Sequence, residues 1–156
     1  MNKILPILFL ICGSFSPNWV QSQDQRSPTE KVLDILTQKE SIKLEYDKLN
    51  LGAWEALSYL DAKKAEYAEE DLLEAVPDYY HFLDSTVIVK LVNPNDYNDY
   101  GLQLELKYKI LAKELILYDK KGKEKDRWTF LYLDQNYLAM DMGGLRVFFT
   151  KTPVQE

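Results

Sequence analysis

The apolar pattern is densest from Trp128 to Thr150 (WTFLYLDQNYLAMDMGGLRVFFT), where three short runs are divided by Asp134-Gln135-Asn136 and by Gly143-Gly144. Short β-rich runs broken by Asn, Asp and Gly predict an antiparallel meander. Upstream, Leu102, Leu104, Leu106, Tyr108 and Ile110 alternate with Gln103, Glu105, Lys107 and Lys109, which predicts a strand with one buried face. Leu115 to Tyr118 predicts the next strand, with a turn at Ala112-Lys113-Glu114 before it and a hairpin loop over 119–123 after it. Residues 78–92 (DYYHFLDSTVIVKLV) form a β-branched and aromatic run that Asp84-Ser85 can divide into two strands. The stretch 93–100 (NPNDYNDY) reads as a loop.

Nearer the amino terminus the period changes. Ser27-Pro28-Thr29-Glu30 combines a capping Ser, a Pro suited to the first helical position and a Glu three residues after the cap. Val32, Ile35 and Leu36 follow at helical spacing. A helix is expected from about Pro28 to Gln38, with a looser continuation toward Leu49 and a stop at Asn50-Leu51-Gly52. In a strand opening at Leu51, Trp54, Ala56, Ser58 and Leu60 would share one face, although Ala, Glu and Leu also permit a helix there. Residues 62–76 are strongly charged and carry Leu72, Leu73 and Val76, so a short amphipathic helix or lid-like excursion is expected, stopped by Pro77. Seven or more short strands joined by tight turns predict a mainly β fold, an antiparallel meander that curls to protect its edges, with an amino-terminal α-helix. Strict alternation puts Phe130, Tyr132 and Asp134 on one face and Thr129, Leu131 and Leu133 on the other. Both faces are bulky, so one must be covered by the helix, a partner or a ligand.

The order of these motifs resembles that of lipocalin-like domains. Leu51-Gly52-Ala53-Trp54 resembles their L-x-G-x-W opening, one residue tighter, and Tyr80 to Thr86 resembles Y-x-F-x-x-D-G-T, also one residue tighter and with Ser85 at the Gly. Leu115 to Asp119 with Gly122 resembles L-x-L-x-D-x-x-G. Leu133 and Leu138 fit the apolar positions that follow, and Arg146 to Lys151 is similar to the closing strand. The resemblance is to small secreted lipocalin-like proteins of Bacteroidota-type bacteria. It implies a lipocalin-like β-barrel over 51–152, preceded by a helical segment at 23–50. A helix before the barrel and a charged excursion at 62–76 depart from the usual pattern.

Composition narrows the function. A chain of 156 residues with 46% hydrophobic and 13% aromatic residues is one domain with a sizeable core. Its net charge of −6, with no basic stripe, argues against nucleic acid and anionic membrane surfaces. Lys3 followed by the apolar run 4–12 (ILPILFLIC) and a polar segment reads as a signal peptide, 1–22, cut after Ser22 or alternatively after Ser14. The run is shorter than the roughly 20 residues of a membrane span, so no transmembrane segment is expected in the mature chain. The expected location is secreted, periplasmic or in the cell envelope. Cys12 is the one cysteine. It is a candidate lipid anchor, but Ile11 stands where a lipobox wants a small residue.

No catalytic set and no cofactor motif stands out, and a non-enzyme is expected. His81 is the one histidine and has no nucleophile motif beside it. The oxygen-rich run at 93–99 fails as an EF-hand loop, since Asn98 replaces the Gly and Leu104 the final Glu. Met140 and Met142 read as packing residues rather than soft-metal ligands, so no metal site is assigned. Glu66, Glu69, Glu70, Asp71, Glu74 and Asp78 read as a solvated acidic face, or else as a docking surface for a basic partner. Tyr and Trp are spread over many strands. Turned into a barrel wide enough for a guest, Trp54, Tyr80, Tyr108, Trp128 and Tyr132 would line an apolar pocket for a small ligand or lipid. In a narrow barrel they would fill the core, leaving an accessory protein that binds a protein or glycan through its surface.

Overall fold

The computed structural model describes residues 26–38, 43–64 and 66–155; the expected signal peptide and Cys12 lie outside them. Helix α1 spans Pro28–Thr37. Strands β1 (Lys43–Leu44), β2 (Ala53–Asp61), β3 (Leu73–Glu74), β4 (Tyr79–Phe82), β5 (Thr86–Asn93), β6 (Asp96–Leu111), β7 (Glu114–Tyr118), β8 (Glu124–Leu133), β9 (Tyr137–Asp141) and β10 (Leu145–Thr152) follow. Eight of these, β2 and β4 to β10, run up and down in chain order, each antiparallel to the next. β10 then pairs back along β2, from Leu145 opposite Asp61 to Thr152 opposite Ala53, and closes the barrel. This is the eight-stranded up-and-down architecture of lipocalin-like barrels, with α1 outside it.

Several local expectations change. Over its described residues, 43–49, the looser continuation toward Leu49 is not α-helix: Lys43–Leu44 is a parallel strand beside Tyr132 and Leu133, and Tyr46–Lys48 is a 3₁₀ turn. The excursion 62–76 holds one 3₁₀ turn, Glu69–Asp71, and the short β3 in place of an amphipathic helix. The expected loop at 93–100 is mostly strand, since β6 begins at Asp96 and pairs with β5 through Tyr100.

The barrel is filled from one end. Trp54, Phe82, Phe130, Leu133, Leu138, Phe149 and their neighbours form the interior cluster. At the end where β2 starts, the 3₁₀ turn plugs the opening. The Trp54 indole N–H donates to Leu49 O at 3.0 Å, the Tyr46 ring meets Phe130 edge-on at 5.2 Å, and the Tyr46 hydroxyl donates to Ala112 O at 2.8 Å.

A second cluster joins α1 to the barrel's outside. Leu36, with none of its surface exposed, packs with Leu60, Leu131, Ala139 and Phe148. The helix starts with the expected capping box: Ser27 Oγ accepts from Glu30 N–H at 3.1 Å, and Glu30 Oε2 accepts from Ser27 N–H at 2.6 Å. At its other end Arg146 Nη1 donates to Leu36 O at 2.7 Å, placing a cation where the helix dipole is negative. Gln38 Nε2 donates to Leu131 O.

Two β-bulges build this helix seat. Phe148 pairs with Ser58 and Phe149 with Ala56, so Leu57 is an extra residue in β2. Phe130 pairs with Met140 and Tyr132 with Ala139, so Leu131 is an extra residue in β8. An extra residue reverses the side-chain alternation beyond it. Trp54 and Ala56 therefore belong to the interior, whereas Leu60 lies under the helix. Phe130 and Leu133 likewise belong to the interior, whereas Leu131 and Tyr132 lie against α1. The strict alternation expected for both strands is wrong beyond each bulge. The bulky second face of β8 is covered by the amino-terminal helix.

Candidate functional site at the open end of the barrel

The end of the barrel opposite the plug holds a cavity of about 310 Å³ that opens to solvent. Ala56 and Tyr59 of β2, Tyr80 of β4, Ala75, Val76 and Asp78 of the crossover, and Met142, Leu145 and Val147 around the β9–β10 turn line it. It is roughly twice the ~150 Å³ cavity that takes up benzene, at the lower end of the range for ligand pockets.

Local chain geometry places these groups. The Leu57 bulge brings Tyr59 to the cavity. The crossover is fastened across that bulge by Ala75 N–H to Leu57 O and by Ala56 N–H to Asp78 O, both 3.0 Å. Around Pro77, Asp78 N–H donates to Val76 O at 2.7 Å, a tight turn of the inverse-γ kind. Gly143 and Gly144, with φ of +75° and +99°, make the β9–β10 turn. Positive φ at both central residues is the condition of a type I′ hairpin, and the turn sets Met142 and Leu145 side by side on the cavity wall. The barrel sheet itself is incomplete between β6 and β7. β6 pairs with β7 only over Lys107–Leu111. Leu102 and Leu104, opposite Leu91 and Val89, remain 49% and 37% exposed.

The cavity is apolar with a small polar group of its own. Asp78 Oδ1 accepts from Val92 N–H at 2.8 Å. Burial raises the Asp78 carboxyl above its ordinary value, against the pull of that bond. Among the described residues no cation pairs with it, and no lysine or arginine lines the cavity. Tyr80 is held edge-on between Phe149 at 5.2 Å and Trp128 at 6.1 Å. It is 6% exposed. Its burial, and secondarily the Asp78 charge, push the phenol well above its ordinary range. Its hydroxyl has no protein hydrogen-bond partner among the described residues.

The five aromatic residues singled out in the sequence separate. Tyr80 lines the cavity and Trp128 packs behind it, with its indole N–H on Asp126 Oδ2 at 2.8 Å. Trp54 lies in the plugged end. Tyr108 is turned away from the cavity: its ring meets Phe82, and its hydroxyl donates to Leu83 O and contacts Asn50 Oδ1. Tyr132, expected on the inner wall, stands outside because of the Leu131 bulge. Burial and then its 2.8 Å bond to Asp134 push its phenol up to about 12. Asp78, Tyr59 and Met142 were not singled out as ligand-binding residues. The available signal was a carboxylate placed directly before the aromatic strand Tyr79-Tyr80.

The remaining candidates are quieter. His81 lies on β4 beside the Tyr79 ring, 6.5 Å away. Asn93 Oδ1 accepts from Asn95 N–H in the β5–β6 turn and Asp96 Oδ1 accepts from Asn98 N–H at the start of β6, both at 3.0 Å. Asp71 pairs with Lys64 and accepts from Ala68 N–H. Among the described residues no group of three or more His, Cys, Asp or Glu side chains is placed to hold a metal. No described helix is long and apolar enough to cross a membrane. A groove of about 350 Å³ between α1 and Tyr132, Asp134 and Tyr137 belongs to the helix seam.

No protein-family model matches the chain, and no curated protein matches it. Among solved structures, it is similar to an uncharacterised protein from Bacteroides eggerthii DSM 20697, with 12% identity over 65% of this chain and 98% of that one and a TM-score of 0.46. It is also similar to a lipocalin-like protein from Bacteroides uniformis ATCC 8492, with 14% identity over 65% and 96% of the two chains and a TM-score of 0.49. A further Bacteroides uniformis protein, solved by NMR, is 20% identical over 67% and 89%, with a TM-score of 0.45.

Proposed function

We propose that this chain is a non-enzymatic binding protein that holds a small, largely apolar molecule in the open end of its barrel. The supporting observation is the asymmetry of the interior: one end is plugged by Tyr46, Leu49 and Trp54, while the other keeps an apolar cavity of about 310 Å³. A barrel that needed only a core would be filled at both ends. Burial of the guest's apolar surface supplies the affinity, at roughly 25 cal/mol per Å², and Asp78, Tyr80 and Tyr59 orient it. The protein works outside the cytoplasm, a reading that rests on the sequence of residues 1–22 alone. Titration with the fluorescent apolar probe N-phenyl-1-naphthylamine tests the function. The wild type should bind with a rise in fluorescence, and Ala75→Trp, which fills the cavity from the crossover, should abolish the rise while keeping the β circular-dichroism spectrum. Equal probe binding by the filled variant, or none by the wild type, would overturn the assignment.

A further inference from the structure

We infer that the guest carries a protonated amine, which pairs with Asp78 inside the cavity. This rests on the proposed binding function and narrows it from apolar molecules to apolar amines. The cavity's polar equipment is one-sided. Asp78 offers a carboxylate with one oxygen held by Val92 N–H and with no protein cation beside it among the described residues. An ammonium brings three donors and no acceptor. The hydroxyl oxygens of Tyr80 and Tyr59, on the same cavity, can accept the donors that Asp78 does not take. A half-buried carboxylate without a counter-ion is costly, and a guest that supplies the cation recovers that cost on binding.

The surroundings favour the same sign. The two crossover lysines are engaged, Lys64 with Asp71 and Lys63 with Asp61, while Glu66, Glu69, Glu70 and Glu74 stand on the same segment. A fatty carboxylate would enter tail first against this field and bring its charge beside Asp78 with no donor to meet it. An alcohol could donate one bond but would leave the carboxylate's charge uncompensated.

The test is a matched set of eight-carbon guests, octylamine, octanol and octanoate, each displacing N-phenyl-1-naphthylamine from the full chain at neutral pH. Octylamine should bind about tenfold or more tighter than octanol, the scale of one charge-assisted bond, and octanoate weakest. Asp78→Asn keeps an acceptor for Val92 N–H and should bring octylamine to the level of octanol. Glu74→Gln removes a nearby charge without touching the cavity lining and should leave the order unchanged. The inference is overturned if octanoate binds as well as octylamine, if Asp78→Asn preserves the amine's advantage, or if Glu74→Gln erases it equally, since that would mean diffuse attraction. Octanol binding alongside any of these results leaves the apolar-binding function standing. Failure of all three guests to bind, with no probe binding either, removes both.

Discussion

A neutral guest series measures the cavity directly. Burying each methylene of a linear alcohol should contribute about 0.8 kcal/mol, which is about fourfold in affinity per carbon at 25 °C. That gain lasts only while the chain still has wall to touch. A volume of about 310 Å³ holds about ten groups of roughly 30 Å³, the share of one water in the liquid, and a methylene is of similar size. Allowing for imperfect filling, affinity should climb from butanol to about octanol or nonanol and then flatten, because further carbons project past Leu145 into solvent. Competition with N-phenyl-1-naphthylamine, kept below the solubility and micelle limits of each alcohol, gives the slope and the break point. A slope near zero from the shortest member would mean that no apolar surface is buried. A climb that continues undiminished well beyond ten carbons would place binding on an open surface or at a protein–protein contact. Either result refutes the cavity as the site.

Three further outcomes concern stability. Leu36→Ala removes three carbons from a fully enclosed site between α1 and the barrel. The expected loss is about 2–3 kcal/mol, toward the low end for such truncations because a surface helix can settle into the gap. Urea unfolding measures it, and a loss below about 1 kcal/mol would mean the helix is not seated as described. Ser27→Ala breaks the capping box and should cost about 1 kcal/mol in the same assay, with probe binding unchanged. Asp78 is held above its ordinary value in the folded chain, so as pH rises the folded state keeps its proton longer than the unfolded state does. Ionised Asp78 therefore lowers stability above this window and has no such effect below it. Asp78→Asn should raise the guest-free Tm at pH 7, and the difference should vanish near pH 3, where both folded and unfolded Asp78 are mostly protonated. A Tm gain that persists at pH 3 would assign the effect to something other than ionisation.

The sequence alone determined the local elements whose signals lie within a few residues. The capping box at Ser27 and Glu30, the two-residue Gly143-Gly144 turn and the Asp84-Ser85 break each carry their own chemistry, and each appears in the structure, whereas of the alternating face from Leu102 to Ile110 only Leu106 and Tyr108 are turned inward and Leu102, Leu104 and Ile110 stay exposed. The mainly β, curled character followed from their number and spacing. Tertiary structure decided what depends on partners distant in the chain. Nothing local marks Leu57 or Leu131 as the extra residue of its strand. Those bulges arise because β2 and β8 must fill the barrel with one part of their length and seat α1 with another, and they decide that Tyr132 faces out and Tyr59 faces the cavity. Tertiary structure likewise set Asp78 apart from the acidic run in which it is read. Glu66, Glu69, Glu70 and Glu74 keep their charges in water and Asp71 is paired with Lys64, whereas the bonds across the Leu57 bulge carry Asp78 into the barrel wall, where its charge is neither solvated in full nor paired. A carboxylate's meaning depends on its dielectric surroundings and its neighbours, and the chain folded into a barrel supplies both from strands that lie far apart in sequence.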